Sequence, residues 1–134
     1  MSQENLEKLR RGHDGFTRGD PSPLRAIVAD NVDWGTSASF PDLEPVYRGG
    51  EAIERWMDAV RSAWESFEVS IAGLLGDAAD VLVVEERLRG RGRGSGAETE
   101  MRIFSVYWFD GGKVVRRRVF DSDREALEAA GLSE

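Results

Sequence analysis

Residues 67–121 read as four consecutive strands, 67–75, 80–89, 98–109 and 113–121, and no other feature limits the fold of this chain as much. The segments between them, "GDAAD", "GRGRGSG" and "DGGK", are turn-type sequences, so the strands form successive hairpins. Helical patterns come first. In "ENLEKLRRGHDGFTRGD", Leu6, Leu9, His13 and Phe16 recur at steps of three and four, and Gly19 offers a stop. "PLRAIVAD" predicts a short second helix burying Leu24, Ile27 and Val28. "GEAIERWMDAVRSAWESF" carries the strongest apolar stripe, Ile53, Trp56, Met57, Val60 and Trp64. "NVDWGT" predicts a short strand, residues 37–50 an irregular loop, and "DREALEAAGL" a C-terminal helix turn. Helices followed by hairpins predict an α+β domain, an antiparallel curved sheet with helices on one side and a pocket between the layers. With 134 residues and no linker, the chain reads as one domain spanning 1–134.

Composition removes several function classes. There is no cysteine, which excludes disulfides, zinc–thiolate sites and thiol catalysis. One histidine among scattered carboxylates has no metal-ligand spacing, so neither a metal nor a cofactor is expected. The net charge of −7 repels nucleic acid. The basic run "RLRGRGRGSG" lacks interleaved aromatics and a GK[ST] ending, and reads as a solvated hairpin tip rather than an RNA site or a phosphate loop. "MSQENLEKLRR" lacks a signal-peptide core, and no segment has the apolar length of a membrane helix. A cytoplasmic protein without nucleic-acid or membrane partners is expected.

The last strand poses a problem. "VVRRRVFDSD" places three arginines in a row where side chains alternate between faces. Arg116 and Arg118 share one face, and Arg117 shares the other with Val115, Val119 and Asp121. If the second face is interior, Arg117 needs a partner there. Asp121 lies roughly 13 Å along the strand, so Glu86 is the nearer candidate. A bulge would instead flip the parity and leave Arg117 in water.

The phrases "GFTRGD", "AIVADNVDW", "YRGGEAIERWM", "RLRGRGRGSGAETEMR", "DGGKVVR" and "EALEAAGL", in this order from residue 15 to residue 132, resemble the SnoaL-like branch of the nuclear transport factor 2-like superfamily. The resemblance implies a cone in which the curved sheet wraps three N-terminal helices around a pocket, with a homodimer formed through the outer sheet face. It also implies which residues face inward: Trp34 and Thr36; Leu82, Val84, Glu86 and Leu88; Ile103, Ser105, Tyr107 and Phe109; and Val115, Arg117, Val119 and Asp121. Phe104, Val106, Trp108 and Phe120 then form an exposed outer patch, the expected dimer surface.

The superfamily's activities map unevenly onto this chain. Ketosteroid isomerases use an aspartate base, a tyrosine and a second acid, and those positions fall at Thr36, Gly12 and Ser105. Epoxide hydrolases of this fold use an acid–arginine–acid cluster. Glu86 falls near one acid, but Val84 and Val119 fall near the other two members. A displaced Glu86–Arg117–Asp121 cluster is the chemically conceivable substitute. Polyketide cyclases need one pocket carboxylate, and apolar surroundings would raise the pKa of Glu86 or Asp121 for that role.

The expected protein is a pocket for a small, partly apolar metabolite, with acid/base catalysis of the cyclase, isomerase or hydrolase kind as its chemistry. Glu86 or Asp121 would be the acid/base and His13 an auxiliary proton carrier. Arg117 would anchor an acidic or carbonyl-bearing ligand, Thr36 and Ser105 would be polar contacts, and Trp34, Tyr107, Phe16 and Trp56 the walls. The bland alternatives are that His13 is a satisfied core histidine and the tryptophans are core. The chain would then be a non-catalytic binding or dimerisation module. A sealed pocket favours the module, and an open one with converging polar groups the enzyme.

Overall fold

The computed structural model describes residues 2–36, 40 and 43–132. Its elements run α1 (Ser2–Thr17), α2 (Ser22–Ile27), β1 (Val28–Gly35), β2 (Val46–Arg48), α3 (Ala52–Ala63), β3 (Trp64–Ala78), β4 (Val81–Gly92), β5 (Glu98–Asp110), β6 (Lys113–Phe120) and α4 (Asp123–Ala129). The strands form one curved, open sheet in the order β2-β1-β6-β5-β4-β3. The pairings β3–β4, β4–β5 and β5–β6 are the expected hairpins, while β1 docks on β6 in parallel. The concave face and helices α1–α3 enclose the main core, which includes Leu9, Leu24, Ile53, Met57, Leu82 and Val114.

Local sequence explains the boundaries. α1 stops where Gly19 takes a φ of +79°, and the amides of Gly19 and Asp20 cap the carbonyls of Phe16 and Gly15. Val28 was expected in the second helix but begins β1, as a β-branched residue suits a strand. Trp64 was expected on the α3 stripe but is the first residue of β3, where its ring packs on Phe67 and Phe40. Part of the expected loop 37–50 is the short strand β2, paired with β1; residues 37–39, 41 and 42 lie outside the described residues.

Two expectations about the sheet faces change. A bulge does interrupt β6, but between Arg116 and Val114, so Val115 is the extra residue. Only the residues before it are flipped. Val114, not Val115, joins the main core, and Arg117 keeps its inward direction. The outer apolar patch is not left open either. α4, capped by the Ser122 hydroxyl at the Glu125 amide, folds back onto it. Val83, Val106 and Ala126 form a second small core there, with Phe104, Trp108 and Phe120 half-buried around it. α4 thus covers, within one chain, part of the outer face on which a homodimer was expected.

Candidate functional site

Sheet register assembles the polar centre. On β4, Glu86 faces inward, and Ser105 and Tyr107 do so from the neighbouring β5. Arg117 of β6 stands opposite Tyr107 on one side and opposite Trp34 of β1 on the other. α1 lowers His13 onto this row, and α3 supplies Trp56. Glu86 is 0% exposed and Arg117 4% exposed.

Glu86 is fully engaged. Its Oε1 accepts from Ser105 Oγ at 2.6 Å and from Arg117 Nη2 at 3.0 Å. Its Oε2 receives the Tyr107 hydroxyl at 2.5 Å and lies 2.6 Å from His13 Nε2. An ionised carboxylate has about four acceptor sites, and all are used. Arg117 also donates Nε to the Tyr107 oxygen at 3.1 Å and Nη1 to the Gly35 carbonyl at 2.7 Å. That last bond needs a close approach of β1 and β6: a Cβ on Gly35 would lie 2.6 Å from the Arg117 carbonyl oxygen. The guanidinium is stacked against Trp34, Trp56 and Tyr107, with its central carbon 4.8, 5.6 and 5.6 Å from their ring centroids.

These contacts reverse the expected electrostatics of Glu86. Burial does push its carboxyl upward, but the Arg117 and His13 charges and the hydrogen bonds from His13 and Ser105 outweigh that, leaving it well below the usual carboxylate range. Burial likewise disfavours the Arg117 charge, and its Tyr107 and Glu86 contacts more than offset this. Burial first, and then the Glu86 charge, raise Tyr107 well above its ordinary value, so it stays a neutral hydroxyl. Glu86 is therefore a counter-ion, and a weak base.

A partly open cleft of about 30 Å³ adjoins this network. Its lining includes the expected Phe16, Trp34, Thr36, Trp56, Tyr107, Arg117 and His13. Phe16 stacks on Trp56 at 4.6 Å, and Trp56 meets Trp34 at a tilt of 56° with ring centroids 5.2 Å apart. Thr36 Oγ1 donates to the Glu44 carbonyl at 2.5 Å. The indole N–H of Trp34, a residue 1% exposed, has no partner among the described residues. Ser105 sits behind Glu86 rather than on the cleft wall. Asp121, expected inside, is exposed just beyond the last residue of β6, so no acid–arginine–acid cluster forms with it. Phe40 and Phe67 were missed as lining. For Phe67 the signal was present: Phe67, Val69 and Ile71 alternate with Glu68 and Ser70, marking one face of the strand.

The sequence profile of the SnoaL-like domain matches residues 9–117. No curated protein sequence matches the chain. Among solved structures, a nuclear transport factor 2-like protein of unknown function from Burkholderia pseudomallei is similar with a TM-score of 0.79 at 18% identity, covering 96% of this chain and 97% of its own. TerC, co-crystallised with polyporic acid, gives 0.78 at 15% identity over 93% and 98%. A Catenulispora acidiphila protein with a ketosteroid isomerase-like fold, in complex with trimethylamine, gives 0.74 at 17% identity over 94% and 93%. At these identities the likeness concerns the fold alone.

Proposed function

The chain belongs to the SnoaL-like domain family, and from that premise we propose that its interior cleft binds a small, partly apolar molecule through a hydrogen-bond-accepting oxygen. The observation that carries this reading is the buried indole N–H of Trp34, which has no partner among the described residues, on a ring that lines the cleft beside Arg117. A buried donor without a partner costs about 1–3 kcal/mol, which a ligand oxygen would recover. Two of the five N–H groups of Arg117 also lack a partner among the described residues. The hydroxyl protons of Thr36 and Tyr107 are spent on the Glu44 carbonyl and on Glu86, so the free donors beside the cleft belong to Trp34 and Arg117. The aromatic walls suit the apolar part of the ligand. That two structural relatives were crystallised with small molecules supports the reading by analogy.

The small cleft and the saturated carboxylate favour binding over general-base catalysis by Glu86. Proton transfer at this site is assigned to His13, which lines the cleft and shares a hydrogen bond with Glu86. A thermal-shift panel of small ketones, esters, amides and carboxylates tests the proposal. At least one compound should raise the melting temperature of the wild type. Trp34→Phe, which keeps a ring and removes the N–H, should lose more than half of that shift measured from its own unliganded value. A panel without effect, or a shift that Trp34→Phe retains in full, overturns it.

A further inference from the structure

Hydrogen-bond geometry fixes the charge of the buried network without reference to any titration. His13 Nδ1 lies 2.7 Å from the Leu9 carbonyl oxygen, which can only accept, so Nδ1 carries a proton. His13 Nε2 lies 2.6 Å from Glu86 Oε2. Without a proton between them, two lone pairs would face each other at hydrogen-bonding distance. One proton therefore lies on that line, on the nitrogen or on the oxygen. Arg117 is charged in either case. Both placements give the Arg117–Glu86–His13 unit one net positive charge.

Among the described residues, that charge has no compensation on the cleft side. On its other flank, His13 borders an outer groove where Asp14, Glu68 and Glu100 are matched in number by Arg10, Arg87 and Arg89. The cleft lining holds His13 and Arg117 but no carboxylate among the described residues. The aromatic faces offset only part of the cost of burying an excess cation, and an entering negative charge offsets more of it. The space itself, about 30 Å³, suits a group the size of about two waters, the scale of a carboxylate head.

We infer that the cleft selects a small monocarboxylate, whose head is held by the free guanidinium N–H groups of Arg117 and the indole N–H of Trp34. This rests on the binding reading above and adds the charge of the ligand to it. Neutral acceptors satisfy the same donors but leave the positive charge in place, so they bind more weakly.

Isothermal titration of the wild-type protein at neutral pH with acetate, butyrate and benzoate, each beside acetamide, butyramide or benzamide, reads the difference directly. At least one acid is expected to bind about tenfold or more tightly than its own amide. Trp34→Phe should weaken that acid severalfold. An amide that binds as well as its acid overturns the charge selection and leaves the binding reading intact. Failure of all three acids overturns the monocarboxylate assignment as well, and the ketones and esters of the thermal-shift panel then decide separately whether the cleft binds anything.

Discussion

Arg117→Met should lower the unfolding free energy by about 3–5 kcal/mol, the scale on which removing one member of a buried ion pair destabilises a protein. Methionine fills much of the space between Trp34 and Trp56, so little of the loss is a packing defect. What remains is Glu86 at 0% exposure without its nearest permanent cation, and Tyr107 and the Gly35 carbonyl without their donor. Urea unfolding of the wild type, Arg117→Met, Glu86→Gln and the double variant checks it. The double variant should be far more stable than the sum of the single losses implies, because it no longer buries an unpaired carboxylate. Additive losses would mean that the two side chains do not depend on one another.

Acid should expose the same network. Glu86 is held below its ordinary value of 4.5 in the folded chain, so the unfolded state binds its proton first as pH falls. A group depressed on folding contributes stability that is complete above its unfolded value and is lost progressively as pH falls toward its folded value. Wild type should therefore lose stability below about pH 5, with Glu86 accounting for as much as about 1.4 kcal/mol per pH unit. Glu86→Gln should start less stable at neutral pH and show a shallower decline over that range. Asp20, exposed and lowered mainly by the Ser22 amide, adds to the slope in both proteins and drops out of the comparison. Equal slopes in the two proteins would contradict the assignment.

Much of this architecture is visible in the chain because it depends on local periodicity. The α1 stripe and the hairpin turns follow from spacings of two, three or four residues, while the inward parity of Glu86, Ser105 and Tyr107 came from the family resemblance. Arg117 announced itself as a charge on an apolar face, and the need for a partner pointed to Glu86. Long-range placement was harder to read. The parallel docking of β1, which sets Trp34 beside Arg117, has no local signature. The bulge at Val115 carries no glycine to mark it, and its location decided that Val114 points inward while Arg117 keeps its inward direction. Asp121 looked interior only because the strand was assumed to continue past Phe120. The sign of the Glu86 shift was the deepest miss. Burial alone raises a carboxyl, and only the three-dimensional convergence of Arg117, His13 and Ser105 reverses it. α4 was legible as a helix turn, but not as the cover of the outer face.

His13 is the sole histidine, so its ring can be observed without assignment ambiguity. Nitrogen-15 NMR of the ring at neutral pH tests the central claim, that one proton bridges His13 Nε2 and Glu86 Oε2 beside Arg117 while Nδ1 donates to the Leu9 carbonyl. The account predicts a protonated Nδ1 and a bridging proton that exchanges slowly with solvent. An unprotonated Nδ1, or the lack of a slowly exchanging proton at this contact, would contradict it.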